Sequence, residues 1–172
     1  KVRSLLNIAN YYKPTHLDSV IHYSYEIKEI QNLISDYKLN IEFLLLEGHI
    51  AARTSNDSLF TDKIDKALEL AIKNQNIILE GHSYYEKATY NHEKSNSHQV
   101  LKFSLKAENT YNKSDSIFIQ KIKNLNHLAF LNLEFENYEK TLEYLNKVIQ
   151  LTENTNYLKS EAYAYNSLAC AY

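Results

Sequence analysis

From Phe118 to Leu151 apolar side chains return every three or four positions. Phe118, Ile119, Ile122, Leu125, Leu128, Ala129 and Leu133 form one stripe, and Tyr138, Leu142, Leu145, Val148, Ile149 and Leu151 form a second. That spacing places each set on one face of a helix. Ser114 or Asp115 is the expected N-cap of the first helix and Asn137 that of the second, while the polar run 153–156 closes the pair. A turn near Glu136-Asn137 is short enough to make the two helices antiparallel neighbours.

The same frame recurs along the chain. Small residues at Ala9, Gly48, Ala88, Ala129 and Ala169 lie 39, 40, 41 and 40 positions apart, each within a helical pattern. Tyr84, Ala88, Val100, Ser104 and Ala107 mark helices near 77–93 and 97–111. Leu5, Ala9 and Tyr12 precede Pro14, and Val20, Ser24 and Ile27 follow it as a second helix. The unit around Gly48 departs most: a polar insertion at 54–58 separates its first helix from Ala67, Leu68 and Ala71. Tyr165, Leu168, Ala169 and Tyr172 belong to a helix over 157–172. A period of about 40 with two helices per period predicts a stacked helical repeat. The helix pairs are expected at 1–36, 38–75, 77–112 and 115–153, with 157–172 unpaired, all within one domain over 1–172.

The segment 128–145 resembles a tetratricopeptide repeat. Leu128, Ala129 and Tyr138 match that family's pattern; Thr141 and Val148 stand where it prefers Ala, Asn132 replaces an aromatic and Glu136 the usual Gly. The small residue lets two helix backbones approach, and large neighbours fill the grooves around it. A 40-residue period exceeds the family's usual 34, which implies extra helical turns or longer connections, as in bacterial sensory and regulatory members. The resemblance implies an all-α fold, a right-handed superhelix (solenoid) of antiparallel helix pairs, about four and a half repeats long.

It also implies a concave groove lined by the first helix of each pair. Carried over, the groove residues are Leu45, His49 and Arg53; His82, Tyr85, Thr89 and His92; Asn126, Phe130 and Glu134; Tyr163, Asn166 and Cys170. Aromatic, amide and imidazole groups suit an extended peptide or a protein segment. The expected role is therefore a protein- or peptide-binding scaffold, the sensory or interaction region of a larger bacterial regulator such as a transcription factor or signalling protein. A structural assembly scaffold without sensing is the alternative, and an enzyme a remote one. A clamp for acidic C-terminal tails needs Lys and Asn at positions held here by Tyr85 and Thr89, or Asn126 and Phe130.

Composition narrows the rest. Two glycines and one proline in 172 residues disfavour strand-and-turn architectures. Asn, Ser, Asp and Lys fill the turns instead, and Asn and Asp can take the left-handed backbone that glycine usually supplies at helix ends. A net charge of −2 gives no field to gather nucleic acid, so no direct nucleic-acid binding is expected. No apolar run approaches the ~20 residues that span a bilayer, so no membrane insertion is expected and the assigned location is cytoplasmic.

No cofactor is implied. Among seven histidines none shows the i, i+4 pairing with a supporting acid or cysteine that zinc sites use. His82 and His92 would lie about 15 Å apart on one helix, so no metal site is assigned. Neither is a catalytic residue: Cys170 sits among alanines and tyrosines with no base placed beside it. The lack of Met and the mostly apolar helix 157–172 point to a fragment of a longer protein. Alone, that helix is expected to cover its apolar face by self-association.

Overall fold

The computed structural model describes residues 1–114, 119–153 and Ala164, and among these it contains helices and no strand. The helices are α1 (Val2–Tyr12), α2 (Leu17–Glu29), α3 (Tyr37–Arg53), α4 (Asp57–Lys73), α5 (Ile77–Glu93), α6 (Ser97–Tyr111), α7 (Ile119–Glu134) and α8 (Tyr138–Thr152), with a short 3-10 turn at Gln31–Leu33.

One turn, used four times, sets the spacing. Ser55, Gln75, Ser95 and Glu136 all adopt a left-handed backbone, with φ of 56°, 53°, 56° and 57°. An asparagine follows each. The asparagine N–H reaches back five residues, as from Asn56 to the Ala51 carbonyl at 2.8 Å and from Asn137 to that of Asn132 at 2.8 Å. The left-handed residue's own N–H bonds the carbonyl three residues back, as from Ser55 to Ala52 at 3.1 Å. This is a Schellman ending for the first helix. The same asparagine then caps the next helix: Asn56, Asn76, Asn96 and Asn137 accept through Oδ1 from the N–H of Leu59, Leu79, Gln99 and Lys140. One residue thus satisfies orphan groups of two helices, and each cap contributes about 1 kcal/mol.

Two expectations change here. The asparagines do not occupy the left-handed position; they sit one residue later, where a side-chain acceptor is needed. Nor is there an insertion at 54–58. Thr54-Ser55-Asn56 is the same three-residue connection as Asn74-Gln75-Asn76, and Asp57 already begins α4. Its first turn reads as polar because it is exposed. With α3, α4 and α5 each 17 residues long, a helix and its turn make a step of 20, so the period of 40 is two such steps. The length of the period lies in the helices and not in the connections.

Other ends are closed differently. Pro14 follows the end of α1, where the N–H groups of Thr15 and His16 both bond the Tyr12 carbonyl. Asp36 caps α3 by accepting from the Lys38 N–H at 2.8 Å. The C-terminus of α6 is capped from outside, by the Lys121 ammonium on the carbonyls of Tyr111 and Ser114.

The chain divides into two compact units, Lys1–Glu86 and Lys87–Tyr172. In the first, α1 packs on α2 and α3, α2 on α3, and α3 on α4. Leu5, Leu6, Ala9, Val20, Ile27, Phe43 and Leu46 form one core. Gly48 marks a close crossing: a Cβ there would collide with Ile64 Cδ1 on α4. In the second unit α7 packs on α6 and α8. Ile122, Leu125, Leu128, Ala129, Tyr144, Leu145 and Val148 form its larger core, which Ala164 joins, and Ala88, Val100 and Leu131 form a smaller one. At the α7–α8 crossing the buried Thr141 hydroxyl donates to the Asn137 carbonyl at 3.0 Å and lies 3.4 Å from that of Ala129. Ala9, Ala88 and Ala129 are all buried, as their spacing implies; Ala169 lies outside the described residues.

Candidate functional site

In the first unit three odd-numbered helices bring polar groups together. Lys13 stands at the end of α1. His49 and Arg53 lie one turn apart on α3, and His82 and Glu86 one turn apart on α5. The Lys13 ammonium and the Glu86 carboxylate form an ion pair at 2.7 Å, their side chains only 24% and 16% exposed. The His49 ring lies close to the Lys13 backbone, and its Nε2 is buried with no hydrogen-bond partner.

Burial dominates the electrostatics. It lowers the pKa of His49 and of His82 to about 4, the Lys13 charge reinforcing the effect on both and the Glu86 charge opposing it. Arg53 lowers His49 further. Burial pushes Glu86 up, but the Lys13 charge and hydrogen bond hold its carboxyl below the usual range overall. At neutral pH the cluster is therefore one compensated ion pair flanked by two neutral imidazoles.

The second unit has a smaller counterpart. The His92 ring on α5 meets His127 on α7 edge to face at 5.0 Å, and Phe130 at 6.1 Å. Burial, reinforced by His92, lowers His127 to about 4. Two amides lie nearby in sequence. The Asn124 Nδ2 donates to the Ser104 carbonyl at 3.0 Å, and the Oδ1 atoms of Asn124 and Asn126 are buried without partners.

The expected groove residues thus fall into different environments. His49, His82, Tyr85, Thr89 and Phe130 are half-buried, and Arg53, His92 and Glu134 are exposed. Leu45 and Asn126 are buried. Tyr163, Asn166 and Cys170 lie outside the described residues. The structure brings His49 and His82 to the same Lys13–Glu86 pair, and His92 to Phe130. Sequence reasoning missed Lys13, Glu86 and His127. For Glu86 a signal existed: it is an acid at i, i+4 from His82. His22 and Glu26 on α2 form another such pair at 3.1 Å. Nothing local marks Lys13 or His127, whose partners come from other helices.

Elsewhere in the second unit an open cleft of about 210 Å³ is lined by Glu108, Asn112, Lys121, Leu125, Lys147, Gln150 and Leu151. Its charges are engaged: Glu108 accepts from the Tyr144 hydroxyl at 3.2 Å, Lys147 bonds Glu143 at 2.8 Å, and Lys121 caps α6. Among the described residues no group of three His, Cys, Asp or Glu is placed to hold a metal ion. No described helix is long and apolar enough to cross a membrane. No protein-family model matches the chain, and no curated protein sequence matches it.

Proposed function

We propose that the chain is a protein- or peptide-binding helical repeat that serves the sensory or interaction role of a larger bacterial regulator. The observation that carries the binding reading is the gathering of rings on odd-numbered helices within each unit: half-buried His49 and His82 about the Lys13–Glu86 pair, and exposed His92 against half-buried His127 and Phe130. Half-dry neutral imidazoles can give or take one hydrogen bond each, while Phe130 offers flat apolar area, a combination that suits a peptide backbone. The regulatory setting is supported by the long repeat unit and its resemblance to bacterial regulatory tetratricopeptide proteins. In the same reading the helix pairs build a right-handed superhelix.

A photo-crosslinking amino acid placed at Phe130 tests the surface, with one at Leu105, exposed on α6, as the control. The proposal expects an adduct with one defined partner in cell extract from the first site and none from the second. Equal labelling from both would refute it. The superhelix expects a radius of gyration in solution clearly above the ~16 Å of a compact chain of this length; a value at that figure would refute it.

A further inference from the structure

We propose that the Lys13–Glu86 ion pair and the two histidines beside it form an acid-released latch that holds α1 to α3 and α5. The pair joins residues 73 apart in sequence, from the end of α1 to the middle of α5, and His49 of α3 lies close to the Lys13 backbone, its Nε2 buried. Three helices are thus tied at one point, and the tie is polar. Leu5, Leu6 and Ala9 hold α1 in the first core from one to two turns earlier on the same helix face, so the polar contact governs how firmly the C-terminal end of α1 stays seated.

The charge balance sets the direction. The charges acting on His49 are Lys13 from α1, Arg53 from its own helix and Glu86 from α5; those acting on His82 are Lys13 and Glu86. On α4, Lys63 is engaged with Glu47 of α3 at 2.8 Å. The Glu86 carboxylate is already matched by Lys13, and protonating both imidazoles would put three positive charges against it in a half-buried space, with exposed Arg53 adding to the repulsion on His49. An open α1 relieves this, because the histidines then return to water. Opening is favoured as pH falls below 6.5, the ordinary histidine value, and the effect saturates near pH 4. Neutral pH closes the latch.

The linkage gives a magnitude. A histidine titrating near 4 when closed and 6.5 when open favours opening by about 30-fold at pH 5, and two act together. Hydrogen exchange of the α1 amides measures the opening, after correction for the intrinsic pH dependence of exchange. In a His127→Gln background, which removes the corresponding titration from the second unit, the opening constant of α1 is expected to rise at least 30-fold from pH 7 to pH 5. Adding His49→Gln and His82→Gln is expected to reduce that rise below about 3-fold. A rise below 3-fold without these two changes, or an unchanged rise with them, overturns the proposal. Should the triple variant not fold, proton NMR titration of His49 and His82 in the intact chain decides the matter. Midpoints well below 6.5 that coincide with loss of α1 protection support the latch, and midpoints at 6.5 refute it.

Discussion

Glu136 occupies a backbone conformation that favours glycine, and replacing it isolates the cost of the recurring turn. A side chain at φ 57° costs about 1–2 kcal/mol relative to glycine in the folded state. Glycine gives back about 0.5–1 kcal/mol through its greater freedom in the unfolded chain. Glu136→Gly is therefore expected to stabilise the fold by about 0.5–1 kcal/mol. The same change at Ser55, Gln75 and Ser95 should add nearly independently, because the turns are separate. The fourfold variant is expected to gain about 2–4 kcal/mol, with the melting temperature rising by about 2–4 °C per kcal/mol. Glu136→Val runs the other way, since a β-branched residue fits the left-handed region poorly, and should cost about 1 kcal/mol or more. Urea unfolding followed by helical circular dichroism, with the slope constant across variants, gives these values directly. If Glu136→Gly is neutral or destabilising while Glu136→Val is harmless, the turn is not strained and the account of the repeat spacing fails.

Other perturbations probe separate parts of the structure. Gly48→Ala should destabilise by about 1–3 kcal/mol despite alanine's better helix propensity, because the new methyl would meet the buried Ile64. Adding Ile64→Val removes the nearest colliding atom and should recover part of that loss, a coupling that a double-mutant cycle in urea reads out; strict additivity would contradict the close approach. Asn96→Ala removes both an N-cap acceptor and the preferred turn residue and should cost about 1 kcal/mol, measured in the same way. His127 is neutral in the fold with its pKa lowered to about 4, so its stabilisation is complete above pH 6.5 and is lost as pH falls toward 4. By pH 5 its share of the loss should be about 2 kcal/mol, and His127→Gln should remove that share while those of His49 and His82 remain. A pH dependence that His127→Gln leaves unchanged would place the titration elsewhere.

The helices themselves were legible because their apolar positions repeat and their ends carry capping residues. Asn137 could be named as a cap before any coordinates, and Asn137 Oδ1 does accept from the Lys140 N–H. The small residues Ala9, Ala88 and Ala129 were legible as packing positions for the same local reason. The turn chemistry was not. Ser, Gln and Glu have no tendency toward left-handed backbone, so nothing in Ser55, Gln75 or Glu136 announces it; the helix ending imposes it. Polar Asp57-Ser58 looked like inserted loop because an exposed first helical turn and a loop have the same composition. The polar cluster was half visible. His49 and His82 follow from their register beside Gly48 and Ala88, whereas Lys13 reaches Glu86 only through the arrangement of three helices.

The central claim is that the rings on the odd-numbered helices form the recognition surface. An unbiased peptide library selected on the full chain, followed by amide chemical-shift mapping of the tightest peptide, tests it most directly. The account predicts that the perturbed amides cluster within a unit, around His49 and Tyr85 on α3 and α5 or around Thr89 and Phe130 on α5 and α7. It also predicts that His49→Ser or Phe130→Ser weakens binding by about 5–30-fold. Perturbations confined to α4, α6 and α8, with both variants binding as before, would contradict it.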